Sequence, residues 1–179
     1  MVADLFISRS RYWLTKEYPI KLRHCVKALP RAAVWARPNA SSNSVGNLLV
    51  HLTGNVTEWI LGGVGGQTIS RYRAGEFAQK DGRDGPALLD DLEAILAKAD
   101  SVLASLNATT LERSIVIQGR QTTVAGAIYH VVEHFAMHTG QIILMTKLYA
   151  PGKIKFYEDA GGLAHPTWHQ GTTLDEAAH

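Results

Sequence analysis

Val124 to Ala150 reads VAGAIYHVVEHFAMHTGQIILMTKLYA, with no proline before Pro151 and no glycine between Gly126 and Gly140. Val124, Ile128, Val131, Phe135, Ile142, Met145 and Tyr149 recur at three- and four-residue steps, and His138 fills the one gap in that seam. This periodicity predicts a long amphipathic helix, capped at its start by Thr122 or Thr123 and ended by Pro151 and Gly152. His130, His134 and His138 follow one another at four-residue spacing, a step of about 40° around the axis, so they form a narrow stripe. His138 in the seam and His134 beside it should face the interior, where an imidazole needs a partner.

A lone histidine on a half-buried face is ordinarily a satisfied core or surface residue. An i, i+4 pair on one helix is also the usual two-ligand half of a metal site, because neutral imidazole suits zinc, nickel, copper and iron. All three residues cannot share one ion: His130 and His138 are separated by about 12 Å of helical rise, against roughly 2 Å from ligand nitrogen to metal. The helix alone leaves both adjacent pairs open.

At 179 residues, with 46% hydrophobic content, the chain suits one domain with a real core. Its net charge of +2 and scattered basic residues give no reason to expect nucleic acid as a partner. Cys25 has no second cysteine to pair with, which points to a reducing, cytoplasmic setting and a small buried hydrophobe. The first residues are too polar for a signal peptide, and no apolar run approaches a membrane span.

Outside the histidine helix, the pattern predicts a first helix over 4–29 with a kink or break at Pro19. A Ser/Asn cluster then starts a second helix over about 44–61, whose buried stripe is Val45, Leu48, Leu49, Leu52, Val56, Trp59 and Ile60. His51 lies at the edge of that stripe and shares its face with Asn55 and Glu58, which makes it the natural third ligand. Residues 62–85 read as a long connection opened by a mobile Gly-Gly-Val-Gly-Gly turn, with Arg71, Arg73 and Glu76 solvated or salt-linked. A third helix over 86–107, a short hairpin near 115–122 and the histidine helix complete an all-α four-helix bundle with one long crossover. Beyond Pro151 the periodicity ends. Phe156 and Tyr157 fold back, and 158–179 reads as a loosely ordered tail in which Pro166 denies His165 and His169 a helix. His24 and His179 receive no role.

The chain resembles the DinB/YfiT-like superfamily of metal-binding four-helix bundles, nearest to a branch bearing a domain of unknown function. The resemblance rests on Ser44-Val45-Gly46-Asn47-Leu48-Leu49-Val50-His51-Leu52, on Gly54-Asn55 and Glu58-Trp59, and on Ala127 to His134 running into His138-Thr139-Gly140-Gln141. Trp35-Ala36-Arg37-Pro38 and Phe156-Tyr157 also match, so the likeness covers about residues 1–157. It implies one divalent metal held by His51, His134 and His138, with His130 outside the shell. It further implies second and third helices running the same way, and a homodimer in many relatives.

Three imidazoles leave a tetrahedral ion one open position, the arrangement of catalytic sites. Such an ion acidifies a bound water for hydrolysis or presents a thiolate to an electrophile. Characterised members of the superfamily include thiol-dependent transferases and an isomerase using low-molecular-weight thiols, so the resemblance implies a metal-dependent S-transferase acting on a small molecule with such a thiol. Zinc or nickel is the expected metal, with iron or manganese next. His130-Val131-Val132-Glu133-His134 also matches the H-x-x-E-H pattern of inverted zinc peptidases, with Glu133 as general base. That register leaves His51 and His138 unused. A metal-binding bundle without turnover is the third reading, since fold and ligands do not fix a reaction. Paired Glu-x-x-His motifs for di-iron chemistry are not present.

Overall fold

The computed structural model describes residues 2–168. Its first bundle helix is continuous through Val2–Tyr12, a wide π segment Trp13–Glu17, and Tyr18–Ala28. Pro19 therefore does not break the helix, as its sequence position suggested. Proline lacks an N–H and crowds the carbonyl four residues back, and the wide segment immediately before it relieves that conflict.

Ser44 starts the second helix by a capping box with Asn47: each side chain accepts the other's backbone N–H at 3.0 Å. The helix runs through Val45–Val56 and continues in wide turns over Thr57–Val64, three residues past the expected end. Gly62 and Gly63 thus belong to the helix and are not a mobile turn. A Cβ at Gly63 would collide with Ile117 of the hairpin, so glycine lets the two elements touch.

The crossover that follows contains a short helix, Arg73–Ala78, within the segment that lacks a periodic pattern. Asp84 caps the third bundle helix, Gly85–Ala104, by accepting from the Ala87 N–H at 3.0 Å. A single turn, Ala108–Glu112, leads to the antiparallel strands Ser114–Ile117 and Arg120–Thr123. Gln118 and Gly119 between them both have positive φ, 53° and 73°, as a two-residue hairpin loop requires. Thr123 then caps the fourth helix, Val124–Tyr149, through the Gly126 N–H at 3.0 Å.

Side-chain neighbours fix the helix directions. Arg11 meets Asp100 and Arg23 meets Glu93, so the first and third helices are antiparallel. Tyr18 packs on Phe135 and Cys25 against Thr146, so the first and fourth run the same way. The Gly46 N–H donates to the Val34 carbonyl, a Cβ at Gly85 would lie 3.4 Å from Val34, and one at Gly65 would lie 3.2 Å from Val102. Both ends of the second helix therefore lie beside the matching ends of the third, and the two are parallel. The crossover makes this possible by returning the chain over the bundle's full length.

Leu22, Leu49, Leu52, Leu92, Ile128 and Phe135 are almost wholly buried where the four helices meet. Each such side chain contributes roughly 1.5–3 kcal/mol of hydrophobic stabilisation. No helix among the described residues is long and apolar enough to cross a membrane.

After Pro151 the chain is more ordered than its composition suggested. Tyr157–Ala160 and Leu163–Pro166 pair as an exposed hairpin, and Phe156 and Trp168 are buried. Trp168 Nε1 donates to Glu17 Oε1 at 3.0 Å. Residues 169–179, which include His169, His179 and most of the expected tail, lie outside the described part.

Candidate metal centre

The second and fourth helices are antiparallel neighbours, with Trp59 tilted against His130 at one level and His51 beside His134 and His138 at the next. His51 is 3% exposed, and ligand nitrogens of His51, His134 and His138 all lie within 4.8 Å of one another. His51 Nε2 stands 2.8 Å from His134 Nε2, a separation at which two lone pairs repel unless a proton or a cation lies between them.

His138 Nε2 is buried and has no hydrogen-bond partner among the described residues. An unsatisfied buried group of this kind costs about 1–3 kcal/mol, which a cation would offset. Burial, and then the neighbouring His138 and His51, push His134 down to about 3; burial also lowers His138 and His130. His134 and His138 are thereby kept from protonation and offer lone pairs. Three converging imidazoles, one with an unpartnered buried nitrogen, fit a divalent transition metal.

The outer nitrogens of two rings are also engaged. His138 Nδ1 lies 2.7 Å from Gln141 Oε1, and His51 Nδ1 lies 2.8 Å from Glu76 Oε2 and 3.1 Å from Arg71 Nη2. Arg71 grips the same carboxylate through Nε to Oε1 at 2.6 Å and Nη2 to Oε2 at 2.8 Å, and reaches Glu58 Oε2 at 2.7 Å. Burial alone would raise the Glu76 carboxyl, yet the hydrogen bonds from His51 and Arg71 hold it below its ordinary value. Burial would likewise lower the Arg71 guanidinium, and its bonds to Glu76 and Glu58 hold it above.

Arg71 and Glu76 are the residues beside the histidine cluster that the sequence reading passed over. It allowed them a salt link, which they make, but had no reason to bring them to His51 from a segment without a pattern. The available signal was Gly54, a glycine inside a buried helix three residues after His51. A Cβ there would strike the Glu76 carboxylate and come within 2.7 Å of Arg71 Nε. Asn55 and Glu58, which share the His51 face, are placed differently from a direct ligand partner. Glu58 sits one bond further out on Arg71, and the buried Asn55 Oδ1 accepts no bond among the described residues.

His130 is half-buried against the Trp59 ring at 4.1 Å and lies outside the close group. Glu133 is exposed. In the H-x-x-E-H register the His130 and His134 ring centres lie 5.4 Å apart, and the base expected between them is on the exposed face. His24 meets the Phe156 ring edge-on, and His165 lies in the exposed hairpin opposite Glu158.

Gln141→Leu removes the acceptor that orients His138 while leaving the ring in place. It is expected to weaken zinc binding by about 10-fold or more, with the fold intact, in calorimetric titration. Unchanged affinity at several pH values would reduce Gln141 to a helix-surface residue.

Two solved structures share this architecture. The DinB-like protein YjoA of Bacillus subtilis superposes with a TM-score of 0.61 at 17% identity, over 85% of this chain and 96% of that one. YfiT of Bacillus subtilis, described as a probable metal-dependent hydrolase with an unusual four-helix bundle topology, gives a TM-score of 0.64 at 16% identity, over 81% and 86%. No curated protein matches the chain. Residues 3–157 match the family described as a protein of unknown function (DUF1572), and the chain belongs to that family, with the four-helix-bundle fold that those two structures share.

Proposed function

We propose that the protein is a metal-dependent enzyme in which His51, His134 and His138 hold one divalent transition metal, zinc or nickel before iron or manganese. The observation that carries this reading is the buried, partnerless His138 Nε2 beside the nitrogens of His51 and His134. Such an ion supplies Lewis acidity at the position that three imidazoles leave open. Gln141 holds the His138 ring in orientation, and Trp59 packs on His130 next to the cluster. A small-molecule electrophile and a low-molecular-weight thiol are the proposed substrates, which makes the reaction an S-transfer. Hydrolysis is the second reading, favoured by the description of YfiT.

Purified without a histidine tag, the protein should carry about one equivalent of metal in elemental analysis and conjugate a member of a thiol panel in a metal-dependent way. Cleavage of ester, amide or peptide substrates without thiol consumption would select the hydrolase. Metal without either turnover would leave a binding module.

The proposed setting is cytoplasmic and the proposed assembly a homodimer. Met137, Leu144 and Leu148 on the outer face of the fourth helix, all more than half exposed, support a self-complementary contact. A monomer in sedimentation at micromolar concentration would remove that assembly.

A further inference from the structure

Glu76 reaches His51 from neither ligand-bearing helix but from the crossover, 25 residues further along the chain. Its backbone is held there by groups that do not involve its carboxylate. Asn47 Nδ2, wholly buried beneath the segment, donates to the carbonyls of Glu76 and Gln79, both at 2.8 Å. Arg37 Nη2 donates to the carbonyls of Phe77 at 2.6 Å and Gln79 at 3.1 Å. Trp35, lying flat on Gly46, ties the far side of the crossover through the Arg83 carbonyl at 2.9 Å. The crossover is therefore anchored without the Glu76 side chain, and a 7%-exposed carboxylate is a poor device for stability alone, because desolvation offsets most of what its ion pair returns.

The carboxylate is instead aimed at one atom. Two groups face His51 Nδ1: Glu76 Oε2 at 2.8 Å, which as an ionised carboxylate only accepts, and Arg71 Nη2 at 3.1 Å, which only donates but is already engaged with Oε2 at 2.8 Å. The closer carboxylate favours the tautomer with hydrogen on Nδ1 and a free lone pair on Nε2, the nitrogen that faces His134. Arg71 closes the arrangement by donating one bond to each carboxylate oxygen, and the pair rests on helix backbone at Gly54, where any side chain would displace it.

We propose that Glu76 is the positioning residue of the centre: it takes the Nδ1–H of His51 and so presents Nε2 as ligand atom, with Arg71 and Gly54 holding the carboxylate in place. This role rests on the metal reading above. It assigns the crossover a task in metal binding as well as in topology, since the ring it orients is the ligand contributed by the second helix.

The test uses Glu76→Ala, Glu76→Gln and Gly54→Ala beside the parent. In the metal-free protein at mildly alkaline pH, nitrogen-15 spectra of the histidine side chains should show His51 with its hydrogen on Nδ1. In Glu76→Ala that single tautomer should be lost and zinc affinity should fall about 10- to 100-fold. Circular dichroism should be unchanged, since Asn47 and Arg37 still hold the crossover. Glu76→Gln, which keeps an acceptor oxygen, should bind more tightly than the alanine variant and stands in for it if alanine prevents folding. Gly54→Ala should shift tautomer and affinity in the same direction as Glu76→Ala. Retention of the Nδ1 hydrogen and of zinc affinity within about twofold in Glu76→Ala, with a parent that binds zinc, overturns the positioning role alone. A parent that takes up none of zinc, nickel, iron and manganese overturns the metal reading and the role with it.

Discussion

His138→Leu is expected to abolish high-affinity zinc binding while leaving the metal-free protein as stable as the parent, or more so. Losing one of three protein ligands should cost more than the roughly 10- to 100-fold typical of losing an outer partner, so an affinity drop beyond about 100-fold is expected in competition with a chromophoric chelator. The stability half follows from burial. In the metal-free protein Nε2 of His138 is buried without a partner among the described residues, and replacing an unsatisfied polar group by an apolar side chain of similar size removes a cost of about 1–3 kcal/mol. A residue kept at the expense of stability is the expected signature of a functional site. His51→Ala and His134→Ala should lose zinc to a similar degree, whereas His130→Ala should bind within about threefold of the parent. If His130→Ala emptied the protein of zinc and His138→Leu did not, the H-x-x-E-H register would replace the three-histidine assignment.

Lowering the pH of the metal-free protein should destabilise it from about pH 6.5 downward. In the unfolded chain His134 titrates near 6.5, whereas in the folded protein burial and the adjacent His138 and His51 push it down to about 3. Between those values the unfolded state binds a proton that the folded state does not. Its contribution to stability is therefore intact above the unfolded value and declines toward acid, at up to about 1.4 kcal/mol per pH unit for each such proton. His138 and His130 are lowered by burial in the same direction and steepen the slope. The depressed Glu76 carboxyl adds a further loss once the pH passes below 4.5, its ordinary value. Urea unfolding across this range measures the effect, and His134→Leu should show a visibly shallower dependence than the parent. Parallel curves would mean that the imidazole cluster is better solvated than its packing indicates. Zinc should flatten the curve near neutrality and be released toward acid, because protons and metal compete for the same lone pairs.

Much of the fold and part of the site could be read from the chain alone, for a local reason. Helical periodicity is a property of a few consecutive turns. The seam from Val124 to Tyr149, the cap at Ser44 and the hairpin around Gln118-Gly119 each carry their evidence within a dozen or so residues. The same reasoning puts His134 and His138 on one stripe and His51 on an inward face. Resemblance, not spacing, chose among the histidines of the long helix.

Tertiary structure decided the level at which the helices meet. That register follows from contacts between distant segments: Gly63 against Ile117, Trp59 on His130, Gly85 against Val26. It sets His51 opposite His134 and His138 and leaves His130 on the tryptophan. Packing also decided that Pro19 continues a helix, since a wide turn before it absorbs the clash. It brought Arg71 and Glu76 to His51 as well: a crossover with no repeating pattern is placed by what grips its backbone, here Asn47 and Arg37, and its destination is written in those partners and not in its own residues.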